Sequence, residues 1–114
     1  MEKNKKLKLL IDFLKEKKTE SLKVLDISKI SILADYFIII TVSSERAVDS
    51  MDSNICDLLA ENGYEVKRKE GVHSKWLLID LEDIVIHIFD NEYSGFYNLD
   101  KLWADAKEID INKI

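Results

Sequence analysis

The chain has 114 residues, a net charge of −5, one cysteine and no proline, with 46% hydrophobic and 34% charged residues. That length suffices for one hydrophobic core, and the balance is that of a globular chain rather than a disordered one. The single cysteine, Cys56, excludes an intramolecular disulfide and a cysteine-based metal site. No apolar run approaches the roughly 20 residues of a membrane span, and an acidic total opposes a broad electrostatic grip on nucleic acid.

The first residues are basic, but an amphipathic pattern follows them rather than the apolar block of a signal peptide, so a cytoplasmic location is expected. Residues 5–18 carry Leu7, Leu10, Ile11 and Leu14 at helical spacing, with Asn4 placed to cap and Lys17 and Lys18 suited to the helix C-terminus. The lysines of this segment read as a solvated face rather than an RNA-binding stripe. Residues 21–27 alternate enough for a first strand. The 28–35 connection holds Ile30, Ile32 and Leu33, and is expected to pack down onto the body. Residues 36–42 are an unbroken run of β-formers, so this strand should be central and buried on both faces.

Either Ser43 or Ser44 can cap a second helix, whose stripe is Val48, Met51, Ile55, Leu58 and Leu59 and whose stop is Asn62-Gly63. Residues 65–70 read as a charged strand at or near an edge, and 71–74 as a loop. Residues 75–90 form two short β-rich runs joined at Glu82-Asp83, a hairpin. Its residues alternate between faces. Leu77, Ile79, Leu81, Ile84, Ile86 and Ile88 make one face uniformly aliphatic and suited to a helix-covered core. Trp76, Leu78, Asp80, Val85, His87 and Phe89 make the other a mixture of rings, aliphatics and a carboxylate, either a second, wetter core or a docking surface. A short capped helix is expected over 98–103, and the 109–114 tail is expected to be ordered only in part.

The order α β β α β β β α implies a single domain with a core over about 5–106. Its fold is α/β in the broad sense (α+β), a mixed five-stranded sheet flanked by helices, with a right-handed crossover between parallel strands. Catalytic signals are weak. Asp35, Asp80, Asp83 and Asp90 could hold magnesium in a phosphoryl or nucleotidyl transferase, the alternative reading. However, Gly63, Gly71 and Gly95 stand apart, and only Ser43-Ser44 offers an anion nest. The bland assignment is that Glu82 and Asp83 shape a turn while Asp80 and Asp90 solvate strand ends. His87, with Asp80 as a same-face neighbour, reads as a structural or interface histidine rather than a general base. His73 and His87 make no zinc pattern. Cys56 reads as a half-buried hydrophobe. Trp76 is either core or, if exposed, an interface anchor.

Three separated motifs then carry a resemblance: Asp35-Tyr36-Phe37 leading to Ser43-Ser44; Trp76 to Asp80 followed by Asp83 to Phe89; and Phe96-Tyr97-Asn98-Leu99-Asp100-Lys101-Leu102-Trp103. Together they resemble the ribosomal silencing factor (Iojap-like) family over about residues 5–106. Asn98 departs from a frequent Asp, and Glu82 from a frequent Gly. The resemblance implies a nucleotidyltransferase-like fold without the catalytic motif, no enzyme activity and no cofactor. It implies a translational repressor that binds the large ribosomal subunit through its protein number fourteen, blocks joining with the small subunit and slows translation when nutrients are short. On this expectation the mixed hairpin face binds the partner through Trp76, Leu78, Val85, His87 and Phe89. Asp80 or Asp83 would pair with a basic partner residue, and Tyr93, Phe96 and Tyr97 would extend the patch or cap the core. In isolation the same patch could close a homodimer.

Overall fold

The unbroken β-former run becomes the strand on which the sheet is assembled. The structure, a computed structural model, describes residues 2–17, 19–32, 34–72, 75–91 and 106–113. In chain order these form α1 (Glu2–Lys15), β1 (Ser21–Asp26), β2 (Tyr36–Val42), α2 (Glu45–Glu61), β3 (Arg68–Glu70), β4 (Trp76–Asp80), β5 (Ile84–Asp90) and β6 (Lys107–Ile109), then a 3₁₀ turn at Ile111–Lys113. The strands make one mixed sheet in the order β3-β4-β5-β2-β1-β6. β2 and β5 run parallel, with Tyr36 beside Ile84 and Val42 beside Asp90; the other described pairs are antiparallel.

The two hairpin faces separate as their alternation predicts. Leu77, Ile79, Leu81, Ile84, Ile86 and Ile88 are all buried in one cluster with Leu7, Leu10, Ile11 and Leu14 of α1 and Val48, Met51, Ile55 and Leu59 of α2. Both helices therefore cover the same, aliphatic face. Burying each of these side chains is worth about 1.5–3 kcal/mol, which makes this layer the main source of stability. A smaller cluster lies on the opposite face, where Leu25, Ile27, Ala34, Ile39 and Phe89 pack with Phe37, Trp76, Val85 and Ala106. Among the described residues no helix covers it.

Several local expectations hold. Ser44 caps α2 by accepting the Ala47 N–H at 3.1 Å. Gly63 follows that helix with φ +77°, a conformation that suits glycine. β3 is an exposed charged edge, though shorter than the 65–70 span.

Four expectations are corrected. The sheet has six strands, because β6 pairs with β1 (Val24 beside Ile109); three residues, Lys107-Glu108-Ile109, are too few to show a period. Helix α1 starts at Glu2, so Asn4 lies inside it rather than at its cap; lysine and glutamate extend a helix nearly as well as leucine. The helix ends at Lys15, where Glu16 and Lys17 N–H groups close a tighter turn onto the Phe13 and Leu14 carbonyls. Finally, the 28–35 connection does not pack down. Ile30 is 51% and Ile32 102% exposed, while Ala34 is buried. Polar bonds shape this turn: the Asp26 carboxylate accepts the Ser28 N–H and hydroxyl at 3.0 and 2.6 Å, and the Ile27 carbonyl accepts from Ile30 and Ser31. The expected 98–103 helix, Tyr93, Phe96, Tyr97, Trp103, His73 and Leu33 lie outside the described residues.

Candidate partner-binding face

Antiparallel register decides which hairpin residues meet. Trp76 stands opposite Phe89, Leu78 opposite His87 and Asp80 opposite Val85. All six share one face, as the alternation requires. The parallel register with β2 adds Phe37 beside Val85. Between this face and the 28–35 connection lies an open groove of about 640 Å³. Phe37, Leu78, Val85 and His87 provide its apolar and aromatic lining, and Lys67, Arg68, Asp80 and Glu82 its charged one.

The ring cluster is ordered from below. Phe89 is fully buried and stacks on Trp76, with centroids 5.4 Å apart and planes 23° from parallel. Phe89 is thus the base on which the half-buried indole rests, rather than a surface contact. The indole N–H of Trp76 donates to His87 Nδ1 at 3.1 Å. Phe37 meets the imidazole edge-on, 4.7 Å between centroids and 75° between planes. His87 is 3% exposed. Burial pushes its pKa down from the ordinary 6.5 to about 4, so the ring is neutral at physiological pH.

The carboxylates divide between two sides of the sheet. Asp80 lines the groove; its Oδ1 accepts the Glu82 N–H at 2.8 Å and its Oδ2 lies 3.8 Å from Arg68. It makes no bond to His87, whose Nδ1 is taken by Trp76, so the two same-face neighbours form no acid–base dyad, in keeping with the reading of His87 as a structural or interface histidine. Asp83 leaves the face altogether. Its Oδ1 accepts Lys6 Nζ of α1 at 2.9 Å, in a pair that is 15% and 24% exposed. Its carbonyl accepts the Asp35 and Tyr36 N–H groups, fastening the hairpin turn to the head of β2. Asp83 therefore holds the turn on the helix-covered side. Among the described residues no three His, Cys, Asp or Glu side chains group closely enough to hold a metal ion.

Sequence reasoning misses Phe37, Lys67 and Arg68 as groove residues, because the unbroken apolar run predicts a β2 buried on both faces and the charges of 65–70 predict a plain edge. The parity of Phe37 relative to Val85 was the available signal, once β2 and β5 are set in parallel. It also missed a second polar cluster behind the edge strand. Asp52, nearly buried on α2, accepts Lys69 Nζ at 3.1 Å and the Cys56 thiol at 3.3 Å. Burial, and then the Asp52 carboxylate, push the Cys56 thiol up, which favours its protonated form. No helix among the described residues is long and apolar enough to cross a membrane.

Comparison with known proteins matches this geometry to a family. The family model described as "Ribosomal silencing factor during starvation" matches residues 1–114. The chain is 40% identical over 98 residues to the ribosomal silencing factor RsfS of Bacillus subtilis, covering 85% of this chain and 83% of that one. It is 36% identical over 109 residues to RsfS of Halalkalibacterium halodurans, covering 95% and 93%. A crystal structure of a Bacillus halodurans protein superposes with a TM-score of 0.83 at 33% identity, covering 94% of this chain and 98% of that one. The names of these relatives denote a regulatory factor rather than an enzyme.

Proposed function

The chain belongs to the ribosomal silencing factor family, and from that membership we propose a translational repressor that binds the large ribosomal subunit. In this reading it acts in the cytoplasm, docks on the large subunit's protein number fourteen, blocks joining with the small subunit and slows translation when nutrients are limiting. The observation that carries the docking site is the sheet face that no helix covers among the described residues: an aromatic and aliphatic groove with charges of both signs around it, opposite a face sealed by two helices. Aromatic and aliphatic centres with polar rims are the usual anatomy of protein interfaces.

Charge favours a protein partner over RNA. At a net −5 the chain is repelled by phosphates, whereas Asp80 and Glu82 at the groove can exchange their loose pairs with Arg68 and Lys67, 3.8 and 3.9 Å away, for basic residues of a ribosomal protein. Trp76 is the proposed anchor, with Leu78, Val85 and His87 around it, Phe89 supporting it from beneath, and Asp80 rather than Asp83 pairing with the partner. In isolation the same face can close on a second copy by a two-fold contact; sedimentation of a clean monomer at high micromolar concentration would count against that dimer.

The test of repression is a joining assay. Isolated large and small subunits are mixed with and without the protein, and joined ribosomes are quantified on a sucrose gradient. A dose-dependent loss of joined ribosomes supports the proposal; unchanged joining at saturating protein rejects it.

A further inference from the structure

His87 lines the groove, and among the described residues one of its ring nitrogens has no partner. His87 Nδ1 accepts the Trp76 indole N–H. An indole nitrogen only donates, so Nδ1 must carry the lone pair, and the proton of the neutral ring resides on Nε2. That Nε2 is buried and, among the described residues, meets no hydrogen-bond partner. Native proteins rarely leave a buried N–H unpaired, because it has surrendered its water for nothing. The indole of Trp76, itself stacked on Phe89, fixes both the tautomer and the tilt of the ring.

The surroundings select what could pair with it. Phe37, Leu78 and Val85 are the apolar neighbours of His87 along the groove. The charged side chains there stand in loose pairs: Arg68 lies 3.8 Å from Asp80, and Lys67 lies 3.9 Å from Glu82. An entering anion would have to disrupt those pairs and would find a neutral ring. A cation would bring donors to a point that requires an acceptor. An uncharged oxygen next to apolar atoms fits both the ring and its lining.

We propose that His87 Nε2–H is a recognition donor for an amide carbonyl, from backbone or side chain, that the protein partner inserts into the groove beside Phe37, Leu78 and Val85. This rests on the reading of the face as the partner surface. It adds that the contact is directional: Trp76 contributes by aiming His87 as well as by its own area. The unpaired donor is then the cost carried by the free protein, relieved only in the complex.

The experiment measures binding of the full-length protein to isolated large subunits for wild type, His87→Phe, His87→Gln and Leu78→Arg. Loss of the donor in His87→Phe weakens binding about fivefold or more. His87→Gln, whose amide can donate, stays within about threefold of wild type. Leu78→Arg blocks the groove and loses binding. If His87→Phe binds like wild type while Leu78→Arg does not, the donor assignment is overturned and the face reading stands. If Leu78→Arg also binds like wild type, the face itself is wrong and the donor assignment falls with it. Should His87→Phe fail to fold, ¹⁵N-histidine spectra of the wild type decide. A downfield move of the Nε2–H resonance on adding the isolated ribosomal protein supports the proposal, and an unmoved resonance in the bound state refutes it.

Discussion

Acidification should destabilise this protein through one side chain, His87. His87 is 3% exposed, and burial holds its folded pKa near 4, against 6.5 in the unfolded chain. As pH falls below 6.5 the unfolded imidazole takes up a proton while the folded one resists until about 4. The unfolded state binds more protons across that window, so stability is fully present above pH 6.5 and declines towards pH 4. Each pH unit in the window costs about 1.4 kcal/mol, so roughly 2 kcal/mol is lost by pH 5 and ~3 kcal/mol by pH 4. The geometry supports the direction: protonated Nδ1 would present a donor to the Trp76 indole donor and break a 3.1 Å bond. Urea unfolding followed by far-UV circular dichroism between pH 7.5 and 5.0 measures the slope. His87→Gln does not titrate there and should show a markedly flatter profile. Parallel profiles for the two proteins would refute both the burial argument and the assigned tautomer.

Two further substitutions probe the turn that joins the hairpin. Glu82 has φ +80° at the first position of a two-residue loop, a site that favours glycine. Glu82→Gly should therefore raise stability by about 0.5–1 kcal/mol despite its greater unfolded-state entropy; a lower thermal midpoint would contradict the assigned strain. Asp83→Ala removes the partner of partly buried Lys6 and should cost about 1–2 kcal/mol without weakening large-subunit binding. Loss of binding with stability intact would return Asp83 to the interface.

Much of this arrangement could be read from period alone. The hairpin faces, the central strand and the capped second helix all follow from side chains whose spacing is local. What escaped was tertiary. Lys6 and Asp83 are 77 positions apart, and nothing in either segment signals their pairing. The Trp76–His87 bond was within reach, since the two residues are diagonal cross-strand neighbours once the two-residue loop sets the register. Ile30 and Ile32 misled because apolar character alone does not say that a turn shaped by Asp26 and Ser28 will face inward. β6 escaped because its few residues find their place only against β1.

The central claim is that the mixed hairpin face, the one bearing Trp76 and His87, docks on the large subunit. Co-sedimentation of wild type and Trp76→Ala with isolated large subunits, with small subunits as the control, tests it most directly. The account predicts that wild type pellets with large subunits only and that folded Trp76→Ala binds at least about thirtyfold more weakly, the ~2 kcal/mol of an interface anchor. Wild type that pellets with neither subunit, or folded Trp76→Ala that binds within about threefold of wild type (under ~1 kcal/mol), would contradict it.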